Sequence, residues 1–259
     1  MNPLTPAAFL LRGLVAGVIA GLFTFGVAFT LGEPSVDSAI ALEEAHAAAS
    51  PTPADDDHDQ PGMVEVSRDN QKSWGLLTGT LAIGAALGGL TALAAAAVVG
   101  RLGSLSARGA TALTALLGFV AIALVPFLKY PATPPAVGNA ETINGRTASY
   151  FGMLLISVLA MIAAVVVARR LMTRFAGYTS VVVVAVGYLA VVGIASAVLP
   201  TVDELGTFPA DTLWYFRRSS LLTLATLWGV IGVVLTGLVG RLYDQASADA
   251  ERRALAASL

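Results

Sequence analysis

Long apolar runs alternate with short polar connections along the whole chain. Six runs stand out: Phe9–Leu31, Trp74–Val99, Ala110–Leu128, Ser149–Ala168, Thr179–Leu199 and Ser219–Val239. Each is about 19 to 26 residues, enough to cross ~30 Å of hydrocarbon at ~1.5 Å per residue. None has the two-residue alternation of a barrel strand. Inside hydrocarbon every backbone group must be satisfied within its own segment, which leaves helices. The pattern predicts an all-α, polytopic membrane protein with six transmembrane helices in a single domain over residues 1–259. The first run has one basic residue, Arg12, and Ala45-His46-Ala47 has the small residues of a leader cleavage site. The apolar run is too long for a leader and the cut too far beyond it, so the segment is expected to stay as the first helix.

The connections set the expected orientation. With the N-terminus inside, the inner segments carry Arg12, Arg101, Arg108, Arg169, Arg170, Arg174, Arg241, Arg252 and Arg253. The outer segments carry Arg68, Lys72, Lys129, Arg146, Arg217 and Arg218. Basic residues stay on the cytoplasmic side, and the two short arginine-bearing loops without acids weigh most. The expectation is N-in, C-in. Of the acidic residues only Asp244, Asp249 and Glu251 then lie inside, so the inner side carries net +6 and the outer side net −8.

One connection is long, Gly32–Ser73. Its start, from Val36 to Glu44, suits a short amphipathic helix with Val36, Ile40 and Ala47 on one face. Its acidic stretch 48–62 reads as flexible. The third-to-fourth connection, with Lys129-Tyr130-Pro131 and Pro134-Pro135, reads as stiff and extended.

Composition narrows the function classes. Charged residues make up 12% of the chain and hydrophobic ones 56%, where soluble domains run nearer ~25% charged. No basic patch supports nucleic-acid binding. Without cysteine there is no thiolate metal site or cysteine nucleophile, and two histidines are too few for a three-histidine zinc site. No GxSxG, HExxH, P-loop or GxGxxG context is present, so an enzyme is not expected.

Small residues recur at four-residue spacing: Gly13, Gly17 and Gly21, then Gly75 with Gly79 and Gly84 with Gly88. That spacing lets helix backbones approach closely, and it predicts packing within the bundle or between copies in a homo-oligomer. No ionisable side chain lies in the middle of any run, which argues against a proton relay at the bilayer centre. The neutral groups there are Thr24, Thr91, Ser157, Tyr188, Ser196, Thr223 and Thr226, each expected to bond a neighbouring backbone carbonyl.

Carboxylates gather beyond helix ends. Glu33-Pro34-Ser35-Val36-Asp37 follows the first helix and Pro200-Thr201-Val202-Asp203-Glu204 the fifth, sharing Pro-Ser/Thr-Val-Asp. A helix-ending proline is expected at each. Glu43, Glu44 and His46 form a nitrogen–oxygen cluster within one helical turn, and Asp55, Asp56, Asp57, His58 and Asp59 form another. Oxygen donors and imidazole suit divalent cations of the later transition series. Arg217 and Arg218 follow Trp214-Tyr215-Phe216, an interfacial aromatic belt. They are placed to pair with Asp203, Glu204 or Asp211.

Three segments together carry a resemblance. Gly32-Glu33-Pro34-Ser35-Val36-Asp37 runs through Glu43-Glu44 into a His- and Asp-bearing loop. Val125-Pro126-Phe127-Leu128-Lys129-Tyr130-Pro131 precedes Pro134-Pro135-Ala136-Val137-Gly138. Leu199-Pro200-Thr201-Val202-Asp203-Glu204 precedes Phe208-Pro209-Ala210 and Leu213-Trp214-Tyr215-Phe216-Arg217. The chain resembles the CbtA family of probable cobalt transporter subunits from its first helix to its sixth. The resemblance implies a multi-pass protein of the bacterial inner membrane, in the setting of cobalamin synthesis. It implies a small single-span partner, CbtB, with a His-rich metal-binding end. No permanently bound cofactor is expected; Co²⁺ enters as substrate. Charge placement and resemblance together make Glu33, Asp37, Glu43, Glu44 and His46 the residues that receive the ion, with Asp203 and Glu204 facing them. The competing expectation is a scaffold that transports nothing and holds a metal-binding partner.

Overall fold

A computed structural model describes residues 4–49 and 67–258. All regular structure among these residues is helical: α1 (Pro6–Val27), α2 (Glu33–Ala49), α3 (Arg68–Asn70), α4 (Leu76–Val98), α5 (Ala107–Gly118), α6 (Val125–Lys129), α7 (Ile143–Leu171), α8 (Gly177–Val198) and α9 (Ala210–Ala257), with one short 3-10 turn at Ala140–Thr142. Three π turns, at Ala28–Gly32, Gln71–Gly75 and Phe119–Leu124, join successive segments without a break. The outcome is six helices long and apolar enough to cross a membrane.

Local chemistry starts these helices. Pro6 opens α1 while the Thr5 hydroxyl accepts from the Ala8 N–H at 3.2 Å, satisfying one of the donors a helix start leaves free. Ser106 does the same for Gly109 at 3.1 Å. Gly100, just past α4, takes a left-handed φ of 77°, which a side chain would resist. At ~1.5 Å per residue α9 is about 72 Å long, so its C-terminal part projects well past a ~30 Å hydrocarbon layer.

One expectation changes here. The first helix does not stop at Glu33-Pro34; it runs on through the π turn into α2, and the start of the long connection is helical from Glu33 to Ala49. Proline breaks an α-helix because its ring strikes the carbonyl four residues back. For Pro34 that is the carbonyl of Thr30, which lies inside the π turn, where the Glu33 N–H reaches back five residues to Ala28. The wider turn relieves the conflict. Pro126 follows the third π turn at the same spacing, and there the Val125 N–H reaches Val120. The proline expectation holds only after the fifth helix, where α8 ends at Val198 ahead of Pro200. The flexible stretch 48–62 falls, from residue 50 on, outside the described residues, as do Asp55, Asp56, Asp57, His58 and Asp59.

The helices form two groups. α1, α4, α5 and α9 share a core of Phe9, Ala16, Ala92, Ala95, Val99, Ala110, Leu235, Val239 and Leu242. α7 and α8 pack on each other and on the third π turn and α6, around Met153, Tyr188, Val125 and Ala195. In the first group α1 and α4 touch backbone to backbone. A Cβ built on Gly13, Gly17, Gly84 or Gly88 would come within 3.0 Å of the facing helix. Gly79 has nothing within 4 Å and takes no part. The small-residue expectation therefore holds within one chain for two of the three glycine sets.

Chain alternation puts the end of α2, the start of α3 and the connections 130–142 and 199–209 at one end of the bundle. The connections 99–106 and 172–176, with the start of α1 and the end of α9, lie at the other. We call these the acidic end and the basic end.

Candidate functional site

The acidic end holds a cavity of about 770 Å³ in the seam between the two helix groups. Its wall takes Ala28 and Gly32 from the first π turn, Leu76 from just after the second, and Ala123 from the third. The first and third π turns thus meet at one place, and such turns concentrate at functional sites. Val36 and Val202, from the two Pro-Ser/Thr-Val-Asp segments, also face it.

Two expected site residues, Glu33 and Glu204, line this cavity together. Each has an arginine partner. Glu33, with its side chain only 13% exposed, pairs with Arg68 Nη2. The same guanidinium holds Asp37, with Nη2 at 3.0 Å and Nε at 3.2 Å from Oδ1. Glu33 and Asp37 are one helical turn apart on α2, so one guanidinium spans both.

Glu204 accepts the Asn139 N–H at 2.9 Å and lies 3.5 Å from Arg146 Nε. Its carboxyl is held below the ordinary carboxylate range, first by the Thr142 hydroxyl and then by the Asn139 N–H, against an opposing effect of burial, with the Arg146 charge the smallest contribution. Arg146 also donates to the Asn139 carbonyl at 3.2 Å, and the Tyr130 hydroxyl donates to that of Pro200 at 2.7 Å. These bonds tie the two loops of the acidic end together.

Glu43 and His46 lie apart from Glu33 and Asp37. They face a second cleft of about 430 Å³ shared with Ala136–Asn139 and Arg146. Glu44 and Asp203 are exposed. The seven expected residues thus divide between a cavity, a neighbouring cleft and the open surface. Among the described residues no three of the His, Asp and Glu side chains come close enough to hold a metal ion together.

The expected pairing of Arg217 or Arg218 with Glu204 is replaced by the Arg146 pair. Arg218 instead stacks on Tyr215, 5.0 Å from the ring centroid. Arg217 lines the cavity. Arg68 and Arg146, which do hold the carboxylates, escape sequence reasoning because each is a lone basic residue in an irregular connection. Only the Asn139–Arg146 stretch, a turn leading into α7, hints that its polar groups converge.

Five of the neutral groups inside the spans fall into three kinds, and only the first kind follows the expected bond to a neighbouring backbone carbonyl. Thr91 and Thr223 bond carbonyls four residues back, at 2.7 and 2.9 Å. Ser157 and Tyr188 bond each other at 2.8 Å between α7 and α8. The Thr24 hydroxyl is buried with no hydrogen-bond partner.

The basic end of the same seam holds an apolar cavity of about 730 Å³, lined by Leu113, Leu117, Val120, Met161, Tyr188 and neighbours. Val120 faces this cavity and Ala123 the acidic one. Both belong to the third π turn and lie three residues apart in it.

A family model described as a probable cobalt transporter subunit (CbtA) matches residues 7–240 of the chain. No curated protein and no solved structure matches it.

Proposed function

The chain belongs to the CbtA family, and from that premise we propose that it is the membrane-embedded subunit of a system that takes Co²⁺, or a similar divalent ion, into the cell. In this reading the acidic end faces outward, with both termini inside, in the bacterial inner membrane. One observation carries it. Glu33 and Glu204, from opposite ends of the chain, meet in a cavity that runs into the seam between two helix groups, and a second cavity enters that seam from the other end.

The outer carboxylates gather the cation, since a one-signed field raises local counter-ion concentration. Glu43, Glu44 and His46 on α2 and the exposed Asp203 meet it first. Glu33 and Asp37 form the inner station. Arg68 is their resting counter-ion, and an arriving divalent ion exchanges for it. Beyond this station the seam offers neutral oxygens: backbone carbonyls where the π turns loosen the helix. Oxygens of this kind replace an ion's hydration shell in pores. The third π turn is the barrier between the two cavities. A small single-span subunit with a His-rich end, of the CbtB type, is the partner that delivers the metal.

A second reading has its own support. Glu33, Asp37 and Glu204 already have arginine partners, which is how a rigid scaffold would be built. The chain would then hold a metal-binding partner and move nothing. Uptake of Co²⁺ at limiting metal, in cells expressing the chain with its partner, separates the two. Glu33→Gln and Asp203→Asn abolish uptake in the transporter while the partner still co-purifies. Uptake unchanged in both variants overturns the transport reading.

A further inference from the structure

The acidic-end cavity has more positive charge than its carboxylates account for. Glu33 is matched by Arg68 and Glu204 by Arg146. Lys129 and Arg217 also line the wall, and among the described residues neither has a carboxylate partner. The Lys129 ammonium rests 5.5 Å from the centroid of the Tyr130 ring. The Arg217 Nε is buried and has no hydrogen-bond partner. A buried N–H without an acceptor is costly, although the Arg217 side chain as a whole is only part-buried. The wall thus presents an ammonium and a guanidinium with no paired carboxylate among the described residues, the charge that attracts a negative oxygen.

The surroundings narrow the ligand. Arg217 offers a planar fork and Lys129 a point charge, the pair of donors that suits a tetrahedral oxyanion. Tyr150 and Thr147 stand on the same wall with polar atoms of their own. Most of the remaining lining is apolar, with Phe127, Phe151, Leu205 and Leu224. Trp214 and Tyr215, both exposed, lie three and two residues before Arg217. Such aromatics sit at headgroup depth.

We propose that this cavity binds a phosphate-class oxyanion between Arg217 and Lys129. Two sources share that chemistry: the headgroup of an anionic phospholipid, whose acyl chains would follow the apolar wall, and free inorganic phosphate. The site uses neither Glu33, Asp37 nor Glu204, so it stands or falls separately from the metal reading.

The test uses the purified full chain in detergent. Native mass spectrometry follows binding of phosphatidylglycerol against diacylglycerol, which lacks the phosphate. Calorimetry follows inorganic phosphate. The wild-type chain is expected to bind phosphatidylglycerol but not diacylglycerol, naming the lipid as source, or to bind inorganic phosphate, naming the free anion. Arg217→Gln and Lys129→Gln should each weaken that binding about tenfold or more. Arg217→Lys should keep part of it. Arg218→Gln, whose side chain stacks on Tyr215, should bind like the wild type. Helical circular dichroism checks each variant's fold, and Lys129→Gln decides if Arg217→Gln does not fold. Binding of neither probe, or binding that survives the loss of Arg217 or Lys129, overturns the proposal.

Discussion

Arg68 donates its Nη2 to the carboxylate of Glu33, closing the start of the second spanning helix onto the continuation of the first. Asp37 shares the same nitrogen at 3.0 Å. A permanent cation therefore sits at the place where the proposed transport reading puts the arriving divalent ion. Glutamine in place of Arg68 removes the competitor and leaves both carboxylates in position. Removing a unit charge so near a part-buried site is worth about 1.4 kcal/mol, which is tenfold in affinity. Arg68→Gln should bind Co²⁺ about tenfold more tightly by calorimetry, and Glu33→Gln should lose binding. Weaker binding in Arg68→Gln would make Arg68 a structural clamp and not an exchangeable counter-ion.

The α1–α4 contact makes a contrasting pair of predictions. Gly17 faces the backbone of Gly84 and Ala85 with no room for a methyl group. Forcing a side chain into such a contact costs about 1–3 kcal/mol through displaced backbone. Gly17→Leu should lower the melting temperature in detergent and reduce folded yield. Gly79, on the same helix as Gly84, has nothing within 4 Å. Gly79→Ala should be neutral or stabilising, by up to about 1 kcal/mol from helix propensity. Equal damage from both changes would mean that helix composition, not this contact, sets the stability.

Hydropathy was enough to place six helices because lipid exposure demands long apolar runs whatever their partners. The glycine register between Gly13–Gly17 and Gly84–Gly88 was legible for a similar reason, since close backbone approach needs absent side chains. Pro34 was misread because a proline's local signal is a stop. Whether the helix yields or bends into a π turn is settled by what packs around it. The station at Glu33 and Asp37 was half visible: the carboxylates show their one-turn spacing, but Arg68 lies beyond the long acidic connection. Glu204 points the same way. Arg217 is nearer in sequence, yet Arg146 reaches it, because the turn at 136–142 folds α7 back toward the loop after α8.

Glu204 gives the acidic end a pH dependence. Its folded carboxyl titrates below the ordinary range, so the unfolded chain takes up the proton first as pH falls. The tie to Asn139, Thr142 and Arg146 is fully present at neutral pH and above the ordinary carboxylate value. It is lost as pH drops through the lowered one. Amide protection at residues 136–143 should therefore hold at neutral pH and fall in acid. Glu204→Gln should show the lowered protection already at neutral pH, with little further change. Protection independent of pH in the wild type would show that the loop is fixed by the Tyr130–Pro200 bond instead.

The chain has no cysteine, so orientation can be read with single introduced thiols. Glu44 and Asp203 are exposed at the acidic end, and Ser104 and Arg174 at the basic end. Arginines flank the short basic-end loops, and such loops stay in the cytoplasm. Glu44→Cys and Asp203→Cys should react with a membrane-impermeant maleimide in intact cells. Ser104→Cys and Arg174→Cys should react only after permeabilisation. The reverse pattern would turn the carboxylates toward the cytosol. Their field would then draw cations out of the cell's own pool, and capture from outside could not begin at Glu33.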